Sequence, residues 1–283
     1  MFVFIRLKKL IFMFVGIMLV LTFWLGNYKE IIPVTAIPLS EPTYTIVIDA
    51  GHGEPDGGAV SNGGVKEANI NLEIAKKLEE ALDELGYNVI MTREDENNIA
   101  DKDKQTSIKQ IKVSDLNNRV KIVNSSKADM CISIHLNKFS SEKYYGWQTF
   151  YNKSSEYNKI LAEEVQKGLS EKIDRKNERV ALCIKDVKLT DKAEIPTTIV
   201  ECGFLSNIEE ASLLQTEEYQ TRIVEGIILG ISRYYEKIYK NGWAESKEIM
   251  HDYSNILFNF ANNTFINIFI EVFDGKLCKK TCT

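Results

Sequence analysis

Thr43-Tyr44-Thr45-Ile46-Val47-Ile48-Asp49-Ala50-Gly51-His52-Gly53 is the stretch on which the fold turns. Thr43 to Asp49 is β-branched and apolar and reads as a strand, and Gly51 and Gly53 mark its end. Next, Glu67 to Leu85 sets Leu72, Ala75, Leu78, Leu82 and Leu85 on one helical face and stops at Gly86, a residue suited to the C′ position. Asn88 to Thr92 is a second strand. The alternation continues with a helix through Leu116, Val120 and Val123, a strand at Met130 to His135, an outer strand at Gly146 to Tyr151 and a helix at Ser155 to Lys172. Thr197 to Cys202 reads as a buried strand, Ser206-Asn207-Ile208-Glu209 as a capping box opening a helix from Asn207 to Leu214, and a last helix runs through Ile223, Ile227 and Ile231 to about Lys240. Arg93 to Ser114 lacks an apolar period and reads as a surface loop. The pattern predicts an α/β domain: a central, mostly parallel twisted sheet flanked by helices on both faces, forming a single domain over residues 43–240.

Outside it, Arg6, Lys8 and Lys9 precede the apolar run Leu10 to Leu25. The basic flank places the N-terminus in the cytoplasm and everything after the run outside it. The run is short of the ~20 residues a spanning helix needs, so residues 1–26 fit either an uncleaved membrane anchor or a cleaved signal segment. The anchor is preferred, because the small-residue site Val34-Thr35-Ala36 lies far from the run. Residues 27–42, with Pro33, Pro38 and Pro42, form an extended linker. Residues 241–283, rich in Phe, Asn and Ile, have no clean period and stay unassigned.

With 35 Lys+Arg against 40 Asp+Glu, the net charge of −5 leaves no excess of cations to hold a polyphosphate, which argues against a nucleic-acid partner. Five cysteines, an odd number spread along the chain, do not make a disulfide framework; no core disulfide is expected, and the plain reading of Cys278 and Cys282 is that they do nothing.

Two of the three histidines stand at apolar strand ends, His52 and His135, where sites form in α/β sheets. Glu67 opens the first helix, and Glu201 lies among Ile199, Val200 and Cys202, where an unpaired carboxylate is costly. Two imidazoles and one carboxylate make a catalytic zinc set that leaves a fourth position to water, and a second glutamate would take the proton. A lone strand-end histidine is more often a satisfied polar group, and a carboxylate at a helix start is favoured by the helix dipole alone. The spacings match no short zinc box, so spacing alone proves no metal.

The motifs carry more. Ile48-Asp49-Ala50-Gly51-His52-Gly53, Gly64-Val65-Lys66-Glu67, Ser133-Ile134-His135-Leu136-Asn137 and Val200-Glu201-Cys202-Gly203-Phe204-Leu205-Ser206-Asn207, with Thr92-Arg93-Glu94-Asp95 and Leu116-Asn117-Asn118-Arg119-Val120 between them, resemble the zinc-dependent N-acetylmuramoyl-L-alanine amidase family (amidase type 3). The resemblance implies one catalytic zinc ion held by His52, Glu67 and His135, with Glu201 as the catalytic carboxylate. It implies hydrolysis of the amide between N-acetylmuramic acid and the L-alanine of the peptidoglycan stem peptide. A departure is the loop Gly53-Glu54-Pro55-Asp56-Gly57-Gly58-Ala59, where many members read H-G-G-x-D-P-G-A. A bare catalytic domain behind one membrane segment resembles the germination-specific members, which implies a spore-cortex substrate, a place between the forespore membranes and a role as the first step toward muramic lactam.

Asn137 and the Gly53 to Gly64 loop are candidate substrate contacts. Trp147 reads as core, and Arg93 and Arg119 as surface ion pairs or helix contacts. A lone catalytic domain without a wall-binding module raises the expectation of an activating or targeting partner protein. Two rivals stand: another zinc peptidase of similar architecture, which would show an arginine set to clamp a C-terminal carboxylate, and a non-catalytic, membrane-anchored wall-binding or scaffold protein.

Overall fold

The computed structural model describes residues 44–101 and 107–240. The apolar segment, the linker and the tail read from the sequence lie outside the described residues. No helix among those described is long and apolar enough to cross a membrane.

Six strands form one sheet: β1 (Thr45–Ala50), β2 (Asn88–Met91), β3 (Met130–Asn137), β4 (Gln148–Tyr151), β5 (Leu182–Cys183) and β6 (Thr197–Phe204), in the order β2-β1-β3-β6-β4-β5. β1 pairs parallel with β2 and β3, and β3 parallel with β6, whereas β4 runs antiparallel to β6 and parallel to β5. Of the six residues of β1 the last five are buried, as expected of a strand covered on both faces.

On one face lie α1 (Glu67–Glu84), α3 (Glu156–Lys172) and α6 (Glu217–Lys240), whose Leu78, Leu82, Leu161, Val165, Ile227 and Ile231 pack on Ile46, Ile48, Ile132 and Ile134. α1 stops where its stripe ends, and Gly86 takes φ 83° just beyond it. α3 and α6 cross closely at Gly168: a Cβ there would lie 2.2 Å from Gly226 O, so the low helix propensity of glycine is offset by backbone approach. The other face carries α2 (Ile108–Ser125) and the short α4 (Lys188–Lys192), with Val123 and Leu189 on Val47 and Cys131. A last short helix, α5 (Ile208–Leu213), follows β6. Trp147 is fully buried, as read from the sequence, and Cys131, Cys183 and Cys202 are free thiols.

Three details differ from the sequence reading. The stretch read as loop to Ser114 becomes helical at Ile108, with Ser107 Oγ accepting from Gln110 N as its cap at 3.3 Å. The apolar period is missing because it is inverted: Ile108, Val113 and Leu116 are exposed while Ser114, Asp115 and Arg119 are buried. β4 is not the outer strand, since the two-residue β5, too short to leave a pattern, lies outside it. The cap of α5 is Asn207, whose side chain accepts from Glu210 N, while Ser206 Oγ accepts from Phe139 N.

Candidate active site at the strand ends

β1 and β3 end side by side, and the start of α1 reaches the same edge. Glu67 is the first residue of that helix and is 3% exposed, so its carboxylate needs partners. Oε2 accepts from Ala59 N at 2.8 Å, and Oε1 accepts from Leu136 N at 3.0 Å. His135 Nδ1 lies 2.9 Å and His52 Nε2 3.3 Å from the same Oε1. The two imidazole rings meet edge to face, with centroids 5.0 Å apart. Burial opposes ionisation of Glu67, but hydrogen bonds from His135 and His52 hold its carboxyl well below the usual range. Burial likewise opposes charge on His135, and the hydrogen bond and charge of Glu67 outweigh it and raise its pKa.

His52 sits at φ 62°, a region disfavoured for a side-chain-bearing residue. Arg119 holds it there. Its Nη2 donates to His52 O, its Nη1 to Ala50 O at 2.7 Å and Asp49 Oδ1 at 2.6 Å, and its Nε to Asp115 Oδ2 at 2.8 Å. Arg93 donates to Ala50 O, Gly51 O and Ala68 O from the other side. Both arginines are buried, at 3% exposure for Arg93 and 2% for Arg119, which corrects the reading of them as surface pairs. They orient the backbone that carries His52. Asp49 is closed in by Arg119, Ser133 Oγ at 2.6 Å and Thr92 Oγ1 at 2.8 Å. Burial works against its charge, yet Arg119 prevails and its pKa falls to about 2.

Close approach at two glycines shapes the site. A Cβ on Gly51 would lie 2.4 Å from His135 Nε2, and one on Gly58 2.6 Å from Glu67 Oε2. Gly58 therefore serves the histidine–glutamate cluster, whereas a Cβ on Gly64 would meet nothing. Asn137 stands half-buried at the end of β3, its Oδ1 accepting from Lys138 N. The sequence places Asp56 only within the Gly53 to Gly64 loop of candidate substrate contacts, whereas its Oδ2 lies 3.1 Å from His52 Nδ1 and orients the ring; Asn71, which donates to Gly51 O at 3.1 Å, is not singled out by the sequence at all. Asn71 follows Glu67 by one helical turn, a spacing that could have revealed it.

Glu201 is the strand partner of His135, on the same face. Its Oε2 is buried without a hydrogen bond. Burial pushes its carboxyl up to about 7, with His135 working against that and Glu67 adding to it. The structure thus brings His52, Glu67 and His135 together, with ligand atoms within 4.8 Å of one another, and sets Glu201 beside them. Nitrogen and carboxylate donors in that number suit zinc with an open position, and an unsatisfied carboxylate beside the set is what a proton carrier requires, so the residues fit the metal.

The family model of N-acetylmuramoyl-L-alanine amidases, Amidase_3, matches residues 46–233, which contain every residue of this site. The chain belongs to the N-acetylmuramoyl-L-alanine amidase family. The amidase is 38% identical over 200 residues to the germination-specific N-acetylmuramoyl-L-alanine amidase of Bacillus subtilis (strain 168), a match covering 71% of this chain and 82% of the relative. It resembles the CwlD amidase of Clostridioides difficile, solved in complex with the GerS lipoprotein, at 39% identity and a TM-score of 0.67, over 69% of this chain and 99% of that one. The catalytic domain of CwlV from Bacillus (Paenibacillus) polymyxa var. colistinus matches at 28% identity and a TM-score of 0.59, over 69% of this chain and 99% of that one. This amidase is accordingly a peptidoglycan-cleaving enzyme of the N-acetylmuramoyl-L-alanine amidase class.

Proposed function

We propose that the chain is a zinc-dependent amidase that removes stem peptides from the muramic acid of spore cortex, with His52, Glu67 and His135 as metal ligands and Glu201 as the catalytic carboxylate. The observation that carries this is the cluster of His52, Glu67 and His135 beside a buried Glu201 oxygen with no partner of its own. Zinc bound there supplies a Lewis acid for the scissile carbonyl and lowers the pKa of water toward ~7.

The chain's own part is positional and acid–base. Asp56 fixes the His52 ring, and the Arg119 and Arg93 guanidiniums fix the backbone at His52. Glu201 takes the proton of the attacking water and returns it to the nitrogen of the departing L-alanine.

The cortex role is supported by the likeness to the germination-specific relative. A partner protein that places or activates the domain is supported by the relative solved with a lipoprotein. We place residues 1–26 as a membrane anchor or signal segment, 27–42 as a linker, 43–240 as the catalytic domain and 241–283 as an extension. The enzyme then acts outside the cytoplasm, between the forespore membranes.

The deciding experiment is mass spectrometry of cortex and vegetative peptidoglycan incubated with the full-length chain, with and without a chelator. Release of stem peptides beginning at L-alanine, abolished by the chelator and greater from cortex, is the expected result. Glycosidic fragments, or release that ignores the chelator, would refute the reading.

A further inference from the structure

The row of side chains on the His135 face of the sheet does not stop at Glu201. Gln148, the first residue of β4, is the cross-strand partner of Glu201. Directly paired residues point to the same face, about 4.8 Å apart from strand to strand. Gln148 Oε1 accepts from Arg179 Nη1 at 3.2 Å, and Arg179 Nε donates to Tyr145 O at 3.3 Å. The guanidinium carbon lies 4.7 Å from the centroid of the Phe204 ring, which is fully buried. Phe139 backs that ring at 5.2 Å.

Arg179 is set apart from the other described arginines. Arg119, Arg175, Arg222 and Arg233 each have a carboxylate partner. Arg93 turns its fork onto backbone carbonyls. Arg179 makes no ion pair among the described residues; its two hydrogen-bond partners, Tyr145 O and Gln148 Oε1, are both neutral. Of the five N–H donors a guanidinium carries, the rest are uncommitted, and the side chain is half-exposed. Glu210, the acidic residue beneath this corner, feels the charges of Arg175 and Arg179, but its two oxygens accept from backbone, Gly146 N and Phe204 N, and make no ion pair with Arg179. An oriented, stacked guanidinium with no carboxylate in contact among the described residues is a receptor for one.

We propose that Arg179 binds a carboxylate of the stem peptide and makes the enzyme selective for acidic stems. The side of the scissile bond follows from the row itself. A carboxylate that protonates the departing amine must lie on the leaving-group side, and Arg179 lies beyond Glu201 in that direction, away from His52 and His135. The stem peptide, which holds the substrate's free carboxylates near this bond, passes over Gln148 toward Arg179, and the neutral sugar lies the other way. This inference rests on the amidase reading, with Glu201 as proton carrier.

The test is steady-state kinetics of the full-length, zinc-loaded chain on two muropeptides that differ only in whether the stem carboxylates are free or converted to primary amides. The wild type is expected to show a KM about tenfold or more lower for the free acid, the size of one charge-assisted hydrogen bond. Arg179→Gln raises KM for the acid more than it lowers kcat and erases the preference. Arg179→Lys, which keeps the charge and loses the fork, restores part of it. Equal KM values for the two substrates in the wild type, a measurement that needs no variant, overturn the inference, as does a Gln variant that keeps the preference. If the wild type cleaves neither muropeptide, the amidase reading fails first and takes this inference with it.

Discussion

On one face of the sheet Ile46, Ile48, Ile132 and Ile134 meet the leucines, valines and isoleucines of α1, α3 and α6; on the other, Val47 and Cys131 share the surface with Asp49, Ser133 and His135, and α2 answers with Asp115 and Arg119. The first face holds the domain together through apolar burial, at roughly 25 cal/mol per Å² removed from water. The second is held by a buried ion web, which contributes little net stability against well-packed hydrocarbon but is costly to break by halves. The difference separates two tasks. Hydrocarbon can cover a strand, but only directional donors can turn three successive carbonyls at the end of β1 and hold His52 where it faces Glu67.

The largest effect that tests this separation is expected at the end of the polar face. Glu201→Gln should lower kcat by about 100- to 10,000-fold while bound zinc, measured by elemental analysis, and the thermal midpoint stay near wild type. A variant retaining more than about a hundredth of the rate would remove Glu201 from the mechanism. Arg119→Leu comes next. It leaves Asp49 and Asp115 buried without their cation, and denaturant unfolding should show a loss of about 3–5 kcal/mol, together with a fall in zinc affinity as His52 is released. Loss of stability with unchanged zinc affinity would show that the web does not position the ligand loop.

Leu78→Ala supplies the contrast from the apolar face. A loss of about 2–5 kcal/mol is expected, with kcat/KM unchanged at temperatures where the domain stays folded. A fall in kcat/KM there would erase the division of labour between the faces.

The smallest effect is in acid. The Asp49 carboxyl is depressed from 3.8 to about 2 in the folded protein, so its contribution is fully present above the unfolded value and lost as pH falls through the folded one. Between about pH 4 and pH 2 roughly 2 kcal/mol should disappear. Asp49→Asn should flatten that part of a stability-against-pH curve; an unchanged slope would mean that another carboxylate governs it.

Much of this was legible from the chain because the strands that meet at the site are apolar runs with abrupt polar ends. His52 and His135 stand out at such ends, and Glu201 stands out by interrupting one. α2 was partly hidden because its buried side is the charged one, so periodicity pointed the wrong way from Ile108 to Ser114. Arg93 and Arg119 read as surface or helix contacts because arginine is seldom buried unless paired: the pairing of Arg119 with Asp49 spans 70 residues of sequence, and Arg93 is satisfied by backbone carbonyls, which no side-chain pattern announces. Arg179 left no trace. It belongs to no strand or helix, and only the antiparallel pairing of β4 with β6, which no local pattern encodes, brings it near Glu201.

β6 is the last of the described strands in chain order, yet it lies between β3 and β4. Without it the described strands fall into two separate patches, β2-β1-β3 and β4-β5, each with an open edge for the same neighbour. Insertion of β6 closes both edges at once and delivers Glu201 opposite His135 in the same event. Such long-range pairing is intrinsically slow to form. Any opened form that lets β6 go leaves His52, Glu67 and His135 without the residue proposed as their proton carrier, so on that reading hydrolytic competence arrives only with the completed sheet.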